Sequence, residues 1–294
     1  MNTTHFPSLP FPACAVGTMS LGPDEAKATF LLDKVLDAGI RMIDVADLYD
    51  GGRTEEIVGK ALIGKRHKVQ LISKGGNQMH ANQRTWSWNP DPVYLEQALE
   101  ASLRRLQTDY LDLYLLHGGT LQDPIDDIIE LFERKKEAGL IRGFGISSIR
   151  PQVIKYWVEH SSVSAVMCQY SVLDRRPEEQ IFPLLERHGI PVLVRGALAK
   201  GLLCAKPATA YLGRSAQETN QIVSSFRQLS CNTGSDHAAM SFAHSPEVVS
   251  TIVVGISAME QIERLMNWQP GQDPPWLKSL KKEIPVNTYH QHRV

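Results

Sequence analysis

The chain has 294 residues, 43% of them hydrophobic, enough to bury two average domains or one large barrel. Its 31 basic and 32 acidic side chains leave a formal charge of -1, which argues against a surface built for nucleic acid or an anionic membrane and suits a small, roughly neutral partner. Cys14, Cys168, Cys204 and Cys231 lie far apart with no Cys-x-x-Cys pair; this is neither zinc-site nor disulfide spacing and reads as reduced thiols of a cytoplasmic protein. Met1–Pro12 has no basic n-region, and no stretch approaches the ~20 apolar residues of a membrane span. No export signal and no membrane attachment are expected.

Taken in chain order, short apolar runs without strict alternation predict strands covered on both faces: Ala13–Gly17, Met42–Ala46, Val69–Ile72, Leu111–Leu116, Phe144–Ile146, Ala165–Cys168, Val192–Val194 and Ile252–Val254. Helical patterns separate them. Asp91-Pro92 precedes Leu95, Leu99, Leu103 and Leu106, and Asp123-Pro124 precedes Ile128, Ile129 and Phe132, so aspartate is expected to cap and proline to take the first turn. Ala38-Gly39, Ala138-Gly139 and His188-Gly189 each end a helix before a new strand, where glycine can adopt the left-handed conformation. Eight strands alternating with helices predict right-handed βαβ units closed into a single (β/α)₈ TIM barrel over residues 1–294. A doubly wound open sheet is the other reading, but no Gly-x-Gly-x-x-Gly follows an early strand; Gly143-Phe144-Gly145 lacks the third glycine. Trp86–Pro90 and Cys204–Gly234 read as long loops over a site, the second with a poorly patterned helix.

In such a barrel the site lies at the C-terminal strand ends. Strand two delivers Asp44 and, just beyond, Tyr49; strand three Lys74; strand four His117; strand five Ser147 and Ser148; strand six Gln169; strand seven Arg195. A phenol with a pKa of ~10 is a poor acid at neutral pH, but an ammonium nearby lowers that value. Lys74 supplies the ammonium, Asp44 holds it, and His117 is placed to hydrogen-bond a carbonyl. No Gly-x-Ser-x-Gly elbow and no Cys–His signature offers a nucleophile, so an external hydride donor is expected.

Met42-Ile43-Asp44-Val45-Ala46-Asp47-Leu48-Tyr49, with Glu55-Glu56-Ile57-Val58-Gly59 after it, resembles the signature segment of the aldo-keto reductases. Ser73-Lys74, Asp109–His117 and Gly143–Ser147 follow in the family's order, and the match covers nearly the whole chain. The Asp-Leu-Tyr form and Asp174-Arg175-Arg176-Pro177-Glu178 are similar to the branch holding bacterial general-stress-type reductases and potassium-channel β subunits. The resemblance implies a TIM-barrel enzyme that reduces aldehydes or ketones with NADPH: Tyr49 as general acid, Lys74 and Asp44 tuning it, His117 orienting the carbonyl. It implies cofactor contacts at Thr18 and Met19 and nicotinamide contacts at Ser147, Ser148 and Gln169, with Arg195 where an aromatic is usual; a guanidinium can also lie against a ring. It implies pyrophosphate contacts at Gly196, Ala197, Leu198, Lys200 and Gly201, a further cofactor contact at Lys206, and adenosine-phosphate contacts at Gly255, Ser257, Gln261 and Arg264.

Plainer readings stand beside these. Asp44 and Lys74 could be a structural ion pair. Trp86 and Trp88 either line a substrate pocket or pack for stability. His237, His244, His290 and His292 read as surface or capping groups without metal-ligand company. Two other functions remain open: a regulatory module that holds NADPH and senses redox state with little turnover, and an aldolase using Lys74 as a Schiff-base amine.

Overall fold

A computed structural model describes residues 10–80, 85–271, 275–284 and 286–290. Eight strands run parallel and close into a barrel: β1 (Cys14–Gly17), β2 (Met42–Asp44), β3 (Gln70–Gly75), β6 (Leu113–Leu116), β7 (Phe144–Ser147), β8 (Ala165–Gln169), β9 (Val192–Arg195) and β10 (Val249–Gly255), with β10 pairing back onto β1. The expected (β/α)₈ barrel is therefore the fold. The helices between them are α1 (Glu25–Asp37), α2 (Arg53–Ala61), α3 (Pro92–Leu106), α4 (Ile125–Glu137), α5 (Pro151–His160), α6 (Ile181–His188), α7 (Ala216–Leu229) and α8 (Ser235–His244); α9 (Met259–Asn267) and α10 (Trp276–Glu283) follow the last strand.

The helix signals operate mostly as their chemistry dictates. Asp91 caps α3 by accepting from Val93 N at 2.8 Å, and Gly39, Gly139 and Gly189 all have positive φ (80, 76 and 64°) at the turns into β2, Ile141 and β9. Asp123 departs from expectation: Pro124 itself stands at the N-cap of α4. The Asp123 carboxylate is engaged elsewhere, by Thr120 N at 2.7 Å and by Trp88 Nε1 at 3.1 Å.

Two loop expectations need correction. Trp86–Trp88 is a strand, β5, paired antiparallel with β4 (Asn77–Met79) beside the barrel. Within 204–234, α7 is a regular helix with a capping box, in which Ser215 Oγ accepts from Glu218 N at 3.2 Å and Glu218 Oε2 accepts from Ser215 N at 2.7 Å. Its buried residues, Thr219, Ile222, Val223 and Phe226, recur at helical spacing.

The strand period of two explains where the site falls. An apolar cluster containing Met42, Ile72, Leu115, Met167 and Leu193 fills the barrel interior, apart from the larger core between barrel and helices. Two residues on from each of these comes a polar group on the same face: Asp44, Lys74, His117, Gln169 and Arg195. The barrel is thus apolar within and polar at its C-terminal mouth. Ser147, two residues after the tightly packed Gly145, completes the ring.

Candidate active site

Lys74 is the centre of the site. Its side chain is 1% exposed, and its ammonium lies 2.7 Å from Asp44 Oδ1, donates to Val45 O at 2.9 Å and donates to Tyr49 Oη at 3.3 Å. Asp44 is in turn braced by Thr18, whose N and Oγ1 both donate to its carbonyl at 3.0 and 2.8 Å. Tyr49 returns to the mouth because the chain after β2 curls into a short 3₁₀ turn, with Asp50, Gly51 and Gly52 at positive φ. The His117 ring meets the Tyr49 ring edge-on at 6.3 Å.

Burial is the largest influence on all four groups. It pushes the Tyr49 phenol above its ordinary value, with Asp44 adding to the effect and Lys74 opposing it. The expected lowering by the ammonium is present, but desolvation outweighs it, so the resting group is a protonated phenol. Burial also works against charge on Lys74; the Asp44 carboxylate and Tyr49 outweigh it and hold the ammonium above the usual lysine value. The Asp44 carboxyl is raised by burial against the pull of Lys74. Burial, aided by Lys74 and Arg195, drives His117 down to about 3, which makes it a neutral imidazole. Its Nδ1 is buried with no partner.

His117 is held through its backbone. Its N donates to Gly75 O at 2.8 Å, and its carbonyl accepts from Asn77 Nδ2 at 3.0 Å. Trp88, pinned by Asp123, packs over the flanking Gly76 and Gly118. Trp86 is instead 53% exposed. The two tryptophans therefore do different things: one braces the His117 segment and the other stands open to solvent, as does Met19 at 71%.

The remaining expected residues divide into two groups. Ser147 Oγ is buried without a partner, whereas Ser148 Oγ accepts from Arg150 N at 3.2 Å. Gln169 and Arg195 pair in register on β8 and β9, and Arg195 Nη1 donates to Gln169 Oε1 at 2.9 Å. Gln169 Nε2 donates to Asp174 Oδ2 at 2.9 Å and to Tyr211 Oη at 3.3 Å. Residues 196–201 form a tight turn in which Gly196, Ala199, Lys200 and Gly201 have positive φ. Lys200, Lys206 and Tyr211 line a cavity beside it. On the far side, Gln261 Oε1 accepts from Ser257 N at 2.5 Å and caps α9, and Arg264 pairs with Asp236 while remaining half exposed. Of the plain histidines, His237 contacts Arg264 O at 3.0 Å, His244 packs edge-on against Trp268 and His290 is exposed; His292 lies outside the described residues.

Sequence reasoning misses Asn77 and Tyr211, and it reads Asp123 only as a helix cap. Each acts through a contact 35 to 42 residues away along the chain, which no local signal expresses.

The arrangement is a buried acid–ammonium pair under a protonated phenol, with a neutral imidazole beside it. A model of the aldo/keto reductase family matches residues 14–268, and the chain belongs to that family of oxidoreductases. It is similar to the uncharacterized oxidoreductase YqkF of Bacillus subtilis, 39% identical over 289 residues, which are 95% of this chain and 94% of that one. Among solved structures it is similar to the aldo-keto reductase AKR11C1 of Bacillus halodurans. The holo form is 41% identical with a TM-score of 0.90, covering 96% of this chain and 95% of that one. The apo form gives 38% and 0.79, covering 98% and 95%.

Proposed function

We propose that the chain reduces aldehydes or ketones to alcohols with NADPH, and that Tyr49 is the general acid. The observation that carries this reading is the 3.3 Å contact of Lys74 Nζ with Tyr49 Oη, on an ammonium that Asp44 holds at 2.7 Å. A neutral His117 donates a hydrogen bond to the carbonyl oxygen and turns it toward Tyr49. The phenol gives its proton to that oxygen, the ammonium stabilises the phenolate left behind, and solvent restores the proton. Asp44 keeps the ammonium charged and in place. The pinned, protonated state of Lys74 is the wrong one for a Schiff-base nucleophile, which must attack as a free amine.

The residues at the mouth fit a nicotinamide dinucleotide. Ser147 Oγ is buried with no partner of its own, and Lys200 and Lys206 bring two cations to the edge of a concave turn. The cofactor would supply the hydride. Ser147, Ser148, Gln169 and Arg195 would hold its nicotinamide, with Thr18 behind and Met19 at the rim. The turn Gly196, Ala197, Leu198, Lys200 and Gly201, with Lys206, would hold its pyrophosphate. Gly255, Ser257, Gln261 and Arg264 would take the adenosine end, where Arg264, half exposed, would turn from its partner Asp236 to a 2′-phosphate of NADPH. Trp86 would form an outer wall for the carbonyl substrate.

Titration of NADPH and NADH separately, followed by quenching of tryptophan fluorescence, tests the reading. Tighter binding of NADPH and turnover of a simple aromatic aldehyde are expected. Binding without turnover would replace the enzyme by a cofactor-holding regulatory module, and failure of both to bind would remove the assignment.

A further inference from the structure

We infer that Arg195 makes this site distinguish the two redox states of its cofactor, binding the reduced form more tightly by repelling the positively charged oxidised nicotinamide. Arg195 has this role only if a nicotinamide cofactor binds at the mouth, as proposed above. It is the last residue of β9, directly before the 196–201 turn. A ring joining phosphates in that turn to a carbonyl held by Tyr49 and His117 has to pass along the end of β9. The guanidinium is fixed there by its 2.9 Å bond to Gln169 Oε1. Its charge is felt across the whole mouth, at Asp44, Tyr49 and His117.

Away from the phosphate-side lysines Lys200 and Lys206, the other charges beside the reacting groups cancel. Asp44 is paired with Lys74 at 2.7 Å, and Asp174 accepts from both Nε and Nη2 of Arg176 at 2.7 Å. Tyr49 and His117 are neutral. Among the described residues no carboxylate lies within ion-pair distance of Arg195, so its charge stands uncompensated beside the reacting groups. Contacts to the phosphates and adenosine are the same in both redox forms and drop out of their ratio. What differs is one unit of charge on the ring: none when reduced, positive when oxidised. Between one such charge and a partly screened cation a few ångströms away, the effect on the ratio of dissociation constants is about tenfold. Spent cofactor therefore leaves more readily than fresh cofactor does.

Equilibrium binding, with no turnover involved, tests this. The Kd values of NADPH and NADP+ are measured by tryptophan fluorescence for the wild type, Arg195→Met and Arg195→Lys. The wild type is expected to bind NADP+ about tenfold more weakly than NADPH. Arg195→Met should bring the ratio close to one, chiefly by tightening NADP+, and Arg195→Lys should preserve it. Equal affinities in the wild type, a result that needs no variant, would overturn the role of Arg195 while leaving the cofactor site intact. So would an unchanged ratio in Arg195→Met. Failure of the wild type to bind either form would instead overturn the cofactor reading beneath it.

Discussion

The indole of Trp88 lies so close over Gly118 that a methyl group there would stand 3.0 Å from its Cζ3, and Gly76 leaves still less room at 2.7 Å. Both glycines have positive φ, 144 and 123°, so a side chain at either is strained by backbone and neighbour together. Gly118 follows His117 directly, and the imidazole is located by this contact. Gly118→Ala is therefore expected to lower kcat/KM for a carbonyl substrate by about tenfold or more, since a shift of ~1 Å at a reacting group is costly. NADPH affinity should be nearly unchanged. Steady-state kinetics together with a cofactor titration separate the two.

Asp44→Asn removes the partner of a fully buried ammonium. Breaking one side of such a pair costs about 3 kcal/mol, and Lys74, no longer held charged by Asp44, loses its grip on the phenolate. Thermal unfolding should show the lost stability, and kcat should fall in parallel. A variant with unchanged Tm and activity would mean that the 2.7 Å contact is incidental.

The barrel is legible in the sequence because its strands carry their own signal. Met42 and Asp44, Ile72 and Lys74, Leu115 and His117 alternate at the strand period, so a hydrophobic interior and a polar mouth are written in the same few residues. What escapes is whatever depends on a distant partner. Asp123 has the local chemistry of a helix cap, yet its carboxylate serves Thr120 and Trp88, because a tertiary bond satisfies it equally well. Trp86–Trp88 looks like a loop since a three-residue strand has too few positions to show a period. The Tyr49 pKa depends on burial, which the strand-end pattern does not express.

His117 makes stability fall in acid. Its folded pKa, about 3, lies below its ordinary value, so the unfolded chain takes up the proton first. This contribution is whole above pH ~6.5 and declines toward pH 3 at up to about 1.4 kcal/mol per unit. Denaturant unfolding followed from pH 7 to pH 4 should show that slope in the wild type, and a shallower one in His117→Asn.

Asp47 works in the opposite sense. Burial, with Glu55 adding to it, pushes its carboxyl up to about 8, and Oδ1 has no partner. A group that holds its proton more tightly when folded stabilises fully below its unfolded value of ~3.9, and that stabilisation is lost as pH rises toward 8. Asp47→Asn should accordingly raise stability near pH 8, by up to about 5 kcal/mol, with the gain vanishing near pH 4. Melting curves at the two pH values decide it.

The most direct test of the account is the rate of carbonyl reduction by Tyr49→Phe, measured under NADPH saturation alongside the cofactor's Kd. Loss of the phenolic proton should cut kcat by ~10²-fold or more while the Kd for NADPH and the Tm stay near wild type. A variant that retained activity within a few-fold would contradict the assignment of Tyr49 as the proton donor and require another acid at the mouth of the barrel.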